Sequence, residues 1–233
     1  MRASATDTIT TMTLDYAKAR ETMVEQQIRP WDVLDTRVLD VLATLPREAF
    51  VPAAYRALAY TDVPLPLAHG ETMMKPVVEG RTLQALELDP GDDVLEIGTG
   101  SGYLTACLAR LAREVVSIEL HADLADGART QLAAQSISNA TVITADALAY
   151  RTDRRFSAIC VTGAVAGIPA HFLDWLQPGG RMFIVRGRSP AMEAVLVRVD
   201  GGGNAVNPPR IQSLFETDIP YLAGAAPVPT FEF

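Results

Sequence analysis

The stretch that most constrains the fold is Val94–Tyr103, where an apolar run passes directly into closely spaced glycines. The run has the character of a short buried strand and ends at Ile97, and glycines follow at every second position, at Gly98, Gly100 and Gly102. Glycine allows a backbone to turn sharply and to approach a ligand without a Cβ clash. In open α/β sheets, loops of this kind lie at the carboxyl ends of the strands, where ligands bind. The stretch predicts an α/β fold with a binding loop, although a tight turn without a ligand is the alternative for the glycines taken alone.

Strand-like and helix-like segments alternate after this point, and this alternation is typical of a doubly wound, mostly parallel sheet. The expected strands are Val94–Ile97, Glu114–Glu119, Thr141–Thr144, Ser157–Thr162, Arg181–Val185, Ala194–Val199 and Ile211–Phe215. The expected helices are Tyr103–Leu111, Ala122–Gln135 and Ile168–Leu176. We therefore expect a seven-stranded α/β domain over residues 89–233.

The first part of the chain, residues 1–88, has a different pattern and is expected to form a helical cap on that domain. Its first thirteen residues look like a frayed tail. The predicted helices are Leu14–Ile28, ended by Pro30; a second one capped by Asp35 and stopped by Pro46; and a third from about Val78 to Leu88. The proline-rich segment Glu48–Pro76 between them predicts loop and short extended structure.

Composition excludes several classes of function. The chain has 233 residues and a formal net charge of −8, which argues against charge-driven binding to nucleic acid or to anionic membranes. Its three histidines are dispersed and show no metal-ligand spacing, so we expect no metal. The N-terminus lacks the apolar core of a secretory signal, and the two cysteines sit in apolar runs, so we expect a cytoplasmic protein. Nothing in the sequence indicates an oligomeric state.

Acidic residues after the next two strands indicate which cofactor the loop binds. Glu119 ends the second strand 21 residues after Gly98, where a carboxylate is expected to meet ribose hydroxyls, and Asp146 follows the third strand, where it is placed to meet an adenine amino group. The alternatives are a surface carboxylate for Glu119 and a helix N-cap for Asp146. Dinucleotide loops read G-x-G-x-x-G, whereas here the third glycine, Gly102, comes one place early. The spacing favours S-adenosylmethionine (AdoMet) over NAD.

One carboxylate, Glu96, stands inside the first strand, where burial is costly unless its hydrogen bonds are satisfied. Two interpretations stay open: it accepts bonds from the loop amides, or it helps to hold the amino-acid end of AdoMet. The N–H groups at the start of the following helix favour the methionine carboxylate. The expected cofactor-binding residues are Glu96, Gly98, Thr99, Gly100, Ser101, Gly102, Leu104, Glu119, Leu120, Asp146, Ala147 and Thr162.

Several motifs between Met23 and Val185 resemble those of the protein-L-isoaspartate (D-aspartate) O-methyltransferase family. They are Met23–Ile28, Leu45–Pro52 (LPREAFVP), Ala59–Asp62, Pro64–Pro66, His69–Thr72, Val94–Ala109, Val161–Ala164 and Leu176–Arg181. The motifs before the glycines are the more specific ones, because the glycine loop is shared by all class I methyltransferases. The resemblance implies a class I methyltransferase fold.

The resemblance also implies a reaction. Enzymes of this family methylate the free α-carboxylate of isoaspartyl residues in damaged proteins, which begins the return of the residue to aspartate. A carboxylate is already ionised at neutral pH, so the reaction needs no strong general base. Catalysis is expected to come from proximity, alignment and exclusion of water.

The acceptor loop departs from the pattern of this family. Its members typically read G-x-T-I-S-x-P, whereas this chain reads Gly-Glu-Thr-Met-Met-Lys-Pro over residues 70–76. Met74 stands where the serine is expected and cannot offer a hydroxyl, while Lys75 is a candidate anchor for the acceptor carboxylate. The alternatives are that Met74 only packs the loop and that Lys75 points into solvent. The expected catalytic residues are Thr72, Met73, Met74 and Lys75.

The altered loop leaves two further hypotheses about function open. One is an AdoMet-dependent methyltransferase with a different acceptor. The other is a catalytically silent AdoMet-binding protein of the same fold.

Overall fold

The computed structural model describes residues 14–201 and 208–228. The first part of the chain is largely helical and holds one small antiparallel hairpin. Its elements are α1 (Tyr16–Met23), α2 (Thr36–Thr44), α3 (Arg47–Phe50), β1 (Leu65–Pro66), β2 (Thr72–Met73) and α4 (Pro76–Leu86). The tail predicted over the first thirteen residues lies outside the described residues.

The helices before residue 88 agree with the prediction except near Pro30 and in the proline-rich segment, where α3 and a 3₁₀ helix over Ala53–Leu58 replace part of the expected loop. The segment predicted as one helix continues beyond α1 as a π-helical turn over Val24–Ile28 and a 3₁₀ turn over Arg29–Trp31. Proline has no N–H, so the regular helical ladder cannot continue through this segment. The start of α2 was predicted correctly, because the carboxylate of Asp35 accepts the backbone N–H of Arg37 at 2.9 Å.

The rest of the chain forms a seven-stranded sheet in the order β5-β4-β3-β6-β7-β8-β9. Its strands are β3 (Asp93–Ile97), β4 (Glu114–Glu119), β5 (Ala140–Thr144), β6 (Phe156–Val165), β7 (Leu176–Arg188), β8 (Ala191–Arg198) and β9 (Arg210–Thr217). The first five of these run parallel, and β8 and β9 add antiparallel pairings at one edge. The predicted fold class, a mostly parallel seven-stranded α/β sheet, is confirmed.

Three helices connect the strands, namely α5 (Tyr103–Leu111), α6 (Ala122–Ala134) and α7 (Ala170–Asp174). The strand predicted to start at Arg181 begins earlier, because Leu176 already pairs with Phe156 of β6. This pairing shortens the helix predicted over Ile168–Leu176 to α7. A cross-strand partner twenty residues away thus overrides the turn preference of Pro178, Gly179 and Gly180, which precede Arg181.

The core lies on both faces of the sheet. On one face, the cap side chains Met23 and Leu42 belong to the same buried cluster as Val94 and Tyr103. On the other face, a second cluster forms around Phe172 of α7. The boundary predicted near residue 88 falls between α4 and β3. Side chains from both sides of this boundary belong to the first cluster.

No helix within residues 14–201 and 208–228 is both long and apolar enough to cross a membrane.

Candidate active site

The glycine loop, residues 98–102, joins β3 to α5 at the carboxyl edge of the sheet. Its three glycines have φ values of 96°, 53° and 84°, a region that residues with a Cβ rarely adopt. A Cβ at Gly98 would lie only 2.3 Å from Thr162 Oγ1, and one at Gly102 would lie 3.0 Å from the Cβ of Ala128. Glycine is therefore required at both positions for conformation and for space.

Two side chains hold this loop in place from neighbouring strands. Thr162 of β6 places its hydroxyl 2.9 Å from the carbonyl oxygen of Ile97 and 2.7 Å from that of Gly98. Glu119, at the end of β4, accepts the Gly100 N–H at 2.8 Å with one carboxylate oxygen and the His121 N–H at 3.0 Å with the other. Each carboxylate oxygen of Glu119 can accept a further hydrogen bond. Both Glu119 and Thr162 line an open cleft.

Glu96 lies behind the loop and does not reach that space. It is fully buried, and one of its oxygens accepts hydrogen bonds from Thr105 Oγ1 and Ser117 Oγ, both at 2.5 Å. The other oxygen, Oε1, has no hydrogen-bond partner among the described residues. Burial raises the pKa of Glu96 to about 8, against the opposing effect of the two hydroxyls. The structure thus gives Glu96 hydroxyl partners, and the Ser117 hydroxyl in turn contacts Thr99 Oγ1 of the loop at 2.5 Å.

The residues after β4 and β5 complete one wall. Leu120 is exposed and borders the space beside Glu119. Asp146 opens a turn after β5, where its Oδ1 accepts the N–H of Leu148 at 2.9 Å, and Ala147 lies next to it. This contact closes a turn and no helix begins here, so the helix N-cap alternative is wrong, and Asp146 also lines the cleft.

The acceptor loop, residues 70–76, forms the opposite wall through its residues 72–75. It includes strand β2, and the hairpin that carries it folds over the glycine loop, so that Leu67 Cδ1 would lie 3.2 Å from a Cβ at Gly100. Met73 and Met74 are buried, whereas Lys75 is exposed at the rim. Within the described parts of the chain, neither the Thr72 hydroxyl nor the Lys75 ammonium has a hydrogen-bond or ionic partner. These two polar groups are free to bind a ligand in the cleft.

Together these walls enclose a cleft of about 1120 Å³, counting its open mouth. Its lining combines apolar side chains with a few polar groups, as ligand pockets commonly do. The predicted residues that line it are Thr72, Met74, Lys75, Gly98, Gly100, Glu119, Leu120, Asp146, Ala147 and Thr162. Met73, Thr99, Ser101 and Leu104 line a smaller recess beside the glycine loop, whereas Glu96 and Gly102 line neither space.

Sequence reasoning missed one wall of the cleft, the segment 217–223 after β9. Its Leu222 N–H donates to the Ala164 carbonyl at 2.9 Å, and the Ala164 N–H donates to the Pro220 carbonyl at 2.8 Å. A Cβ at Gly163 would lie 2.7 Å from Leu222 Cδ2. The segment has no glycine loop and no charge pattern that could have predicted its place at the site. Backbone pairing with a distant strand puts it there.

The family model for protein-L-isoaspartate (D-aspartate) O-methyltransferase matches residues 18–208. The chain belongs to this family. The protein-L-isoaspartate O-methyltransferase of Koribacter versatilis is 42% identical over 183 residues, covering 78% of this chain and 82% of that protein. The enzyme of the same name from Methanoculleus marisnigri is 40% identical over 186 residues, covering 79% of this chain and 84% of that protein.

A solved structure has the same fold. It is assigned as a protein-L-isoaspartate O-methyltransferase from Plasmodium falciparum and contains S-adenosyl-L-homocysteine; it matches with a TM-score of 0.75 and covers 90% of this chain and 99% of that one. At 19% sequence identity, this likeness concerns the fold alone. The family match ends at residue 208, so the cleft wall at 217–223 lies beyond it.

Proposed function

We propose that this protein transfers the methyl group of AdoMet to the free α-carboxylate of isoaspartyl residues in proteins. The observation that carries the proposal is the meeting of two loops at one cleft in a chain of this family. One loop has the glycines and the neighbouring carboxylates that suit a nucleoside cofactor, and the other has free polar groups that suit an anion. Residues 1–88 would supply the acceptor wall, and residues 89–233 the cofactor wall.

The residues of the cofactor wall fit AdoMet. The positive φ values of the three glycines turn the chain at the start of α5 and leave a strip of backbone from which no Cβ projects at alternate positions. That strip would hold the methionine end, Glu119 would accept hydrogen bonds from the ribose hydroxyls, and Asp146 would meet the adenine amino group. Bound AdoMet supplies a methyl group activated by a positive sulfonium.

The acceptor wall would bind a carboxylate through Thr72 and Lys75. The Thr72 hydroxyl can donate one hydrogen bond, and the Lys75 ammonium adds a positive charge at the rim. The carboxylate oxygen forms the new bond to the methyl carbon while the carbon–sulfur bond breaks, and the electron pair of that bond stays on sulfur. Because this step consumes no proton, the chain needs only to align the two groups and to exclude water.

Met74 stands where the family pattern has a serine beside the transfer site. Its thioether borders the cleft and cannot donate a hydrogen bond. We infer that Thr72 and Lys75 together take over the contact with the acceptor. Restoring a hydroxyl with Met74→Ser should then raise the affinity for the acceptor, with little effect on the cofactor.

The test is methyl transfer from labelled AdoMet to an isoaspartyl peptide and to its aspartyl twin. We expect base-labile label on the isoaspartyl peptide alone, because a carboxyl methyl ester hydrolyses in base. Cofactor binding without transfer to either peptide would overturn the proposed acceptor. Equal labelling of both peptides would show a carboxyl methyltransferase that does not select the isoaspartyl linkage.

A further inference from the structure

A single buried cation, Arg47, touches both the acceptor loop and the helix that follows the glycine loop. Its side chain has no exposed surface. Its Nη1 donates to both carboxylate oxygens of Glu79 at 2.7 and 2.6 Å, and its Nε donates to the carbonyl of Ala59 at 2.8 Å. The remaining contact is the one that concerns function: Nη2 donates to the carbonyl of Met74 at 2.8 Å.

The same guanidinium lies over the ring of Tyr103, with its Cζ 4.8 Å from the ring centroid. Tyr103 is the first residue of α5 and follows Gly102 directly. Arg47 therefore connects the backbone of the acceptor loop to the end of the glycine loop through one rigid, planar group. Glu79, on α4, neutralises the charge and fixes the orientation of that plane.

This arrangement controls a distance that matters for methyl transfer. In a reaction driven by alignment, a displacement of about 1 Å can cost about a hundredfold in rate. A guanidinium donates in several fixed directions at once, whereas an ammonium is a compact point charge. A lysine at this position could pair with Glu79, but it could not hold the two carbonyls and the aromatic ring together.

We propose that Arg47 is a positioning residue for methyl transfer, which sets the acceptor loop at a fixed place relative to the cofactor loop. The proposal rests on the proposed function for its kinetic consequence. Its structural consequence, that Arg47 restrains residues 72–75, is independent of which acceptor the protein uses.

The chain offers a matched control at the other end of the sheet. Arg181 is also buried, and its Nη2 lies 2.5 Å from Asp92 Oδ2. It also donates to three backbone carbonyls, those of Leu86 at 2.6 Å, Glu87 at 2.8 Å and Ser157 at 3.2 Å. Asp92 immediately precedes β3, so this ion pair lies at the amino edge, away from the cleft. The two arginines have the same chemistry but only one contacts the acceptor loop.

The experiment compares Arg47→Lys with Arg181→Lys by four measurements on the full chain. These are the melting temperature, the affinity for S-adenosylhomocysteine, kcat and KM with an isoaspartyl peptide, and hydrogen exchange over residues 71–75. We expect both variants to lower the melting temperature. Only Arg47→Lys should lower kcat, by roughly tenfold or more at saturating substrates, given the sensitivity of such reactions to alignment. Its affinity for S-adenosylhomocysteine should stay within about twofold, and exchange over residues 71–75 should become faster, because local opening becomes easier.

Several results would overturn the proposal. An unchanged kcat and unchanged exchange in Arg47→Lys would show that the residue is merely structural, and so would an equal fall in kcat in both variants. If the wild type methylates no isoaspartyl peptide, the proposed function fails, and the exchange comparison alone then decides the role of Arg47. If the lysine variants do not fold, the charge-free pairs R47M/E79L and R181M/D92L allow the same comparison.

Discussion

Two loops face the cleft, and each is backed by one buried glutamate, but the two glutamates are held differently. Behind the glycine loop, Glu96 accepts hydrogen bonds from two hydroxyls, and no cation among the described residues pairs with it. Behind the acceptor loop, Glu79 accepts two hydrogen bonds from the guanidinium of Arg47. The cofactor side is thus built around a carboxyl group with hydroxyl partners, and the acceptor side around an ion pair. Burial raises the pKa of both glutamates, and the guanidinium of Arg47 opposes that rise at Glu79.

The two loops are also held by different kinds of contact. The glycine loop is held by residues of adjacent parallel strands and by its own positive φ values. The acceptor loop depends on Arg47, which is 27 residues from Met74 in sequence. Changes near the glycines should therefore alter the affinity for the cofactor, whereas changes in the acceptor loop should alter the affinity for the peptide or the rate of transfer.

The largest effect is expected for Gly98→Ala. The new Cβ would meet Thr162 Oγ1 at 2.3 Å at a φ of 96°, so the hydroxyl must give up its carbonyl contacts and the backbone is strained. We expect a loss of AdoMet affinity of about a hundredfold or more, measured by calorimetry, because strain of this type costs on the order of 1–3 kcal/mol before the lost contacts are counted. Gly127→Ala on α6 is the control, since its Cβ meets nothing within 4 Å. A normal AdoMet affinity in Gly98→Ala would contradict the role given to the glycine loop in cofactor binding.

The next largest effect is expected in the pH dependence of stability that Glu96 causes. Burial raises the pKa of Glu96 to about 8 from 4.5, so between these values the folded chain holds a proton that the unfolded chain has lost. Unfolding then releases that proton, and this contribution to stability is full below pH 4.5 and is lost as the pH rises to about 8. We expect the free energy of unfolding to fall by about 2 kcal/mol between pH 6 and pH 8 because of this group.

The measurement is denaturant unfolding of the wild type and of Glu96→Gln across that pH range. The amide imitates the protonated acid, so the variant should lack this part of the fall in stability. An identical pH dependence in both proteins would show that Glu96 is already ionised in the folded state.

A smaller effect is expected for Glu119→Gln. The substitution removes the charge that holds the Gly100 N–H and that would bind the ribose, and hydrogen bonds to a charged group contribute about 1.5–3 kcal/mol. AdoMet affinity should fall by about tenfold or more, while KM for the isoaspartyl peptide changes little. Glu114→Gln at the other end of β4 is the control, because Glu114 pairs with Arg154 at the surface. A change in the peptide KM alone would show that Glu119 contacts the acceptor and not the cofactor.

The smallest effects are expected on the acceptor side. Lys75→Met and Thr72→Val each remove one free polar group without creating an unpaired partner, because neither group has a contact to lose among the described residues. KM for the isoaspartyl peptide should rise by about fivefold for each, in line with one exposed contact of about 1 kcal/mol. The affinity for AdoMet should not change. Steady-state kinetics with varied peptide concentration would measure KM for each variant.

Sequence reasoning succeeded where short-range chemistry decides the structure. The glycine loop, the strand ending at Glu119 and the cap at Asp35 follow from local periodicity, conformational preference and spacing. It did not find the wall at 217–223 or the contact between Arg47 and Met74, because both depend on pairing between distant segments. Glu96 was recognised as costly to bury, but its hydroxyl partners Thr105 and Ser117 lie on α5 and β4, which no local pattern connects with it.

A crystal structure with S-adenosylhomocysteine and an isoaspartyl peptide would show directly whether the two loops bind cofactor and acceptor in one cleft. We predict that the homocysteine end lies against residues 98–102. The free α-carboxylate should lie within about 3 Å of Thr72 Oγ1 or Lys75 Nζ, the distance of a hydrogen bond. A peptide carboxylate bound away from residues 72–75, with the cofactor product still on the glycine loop, would contradict the account.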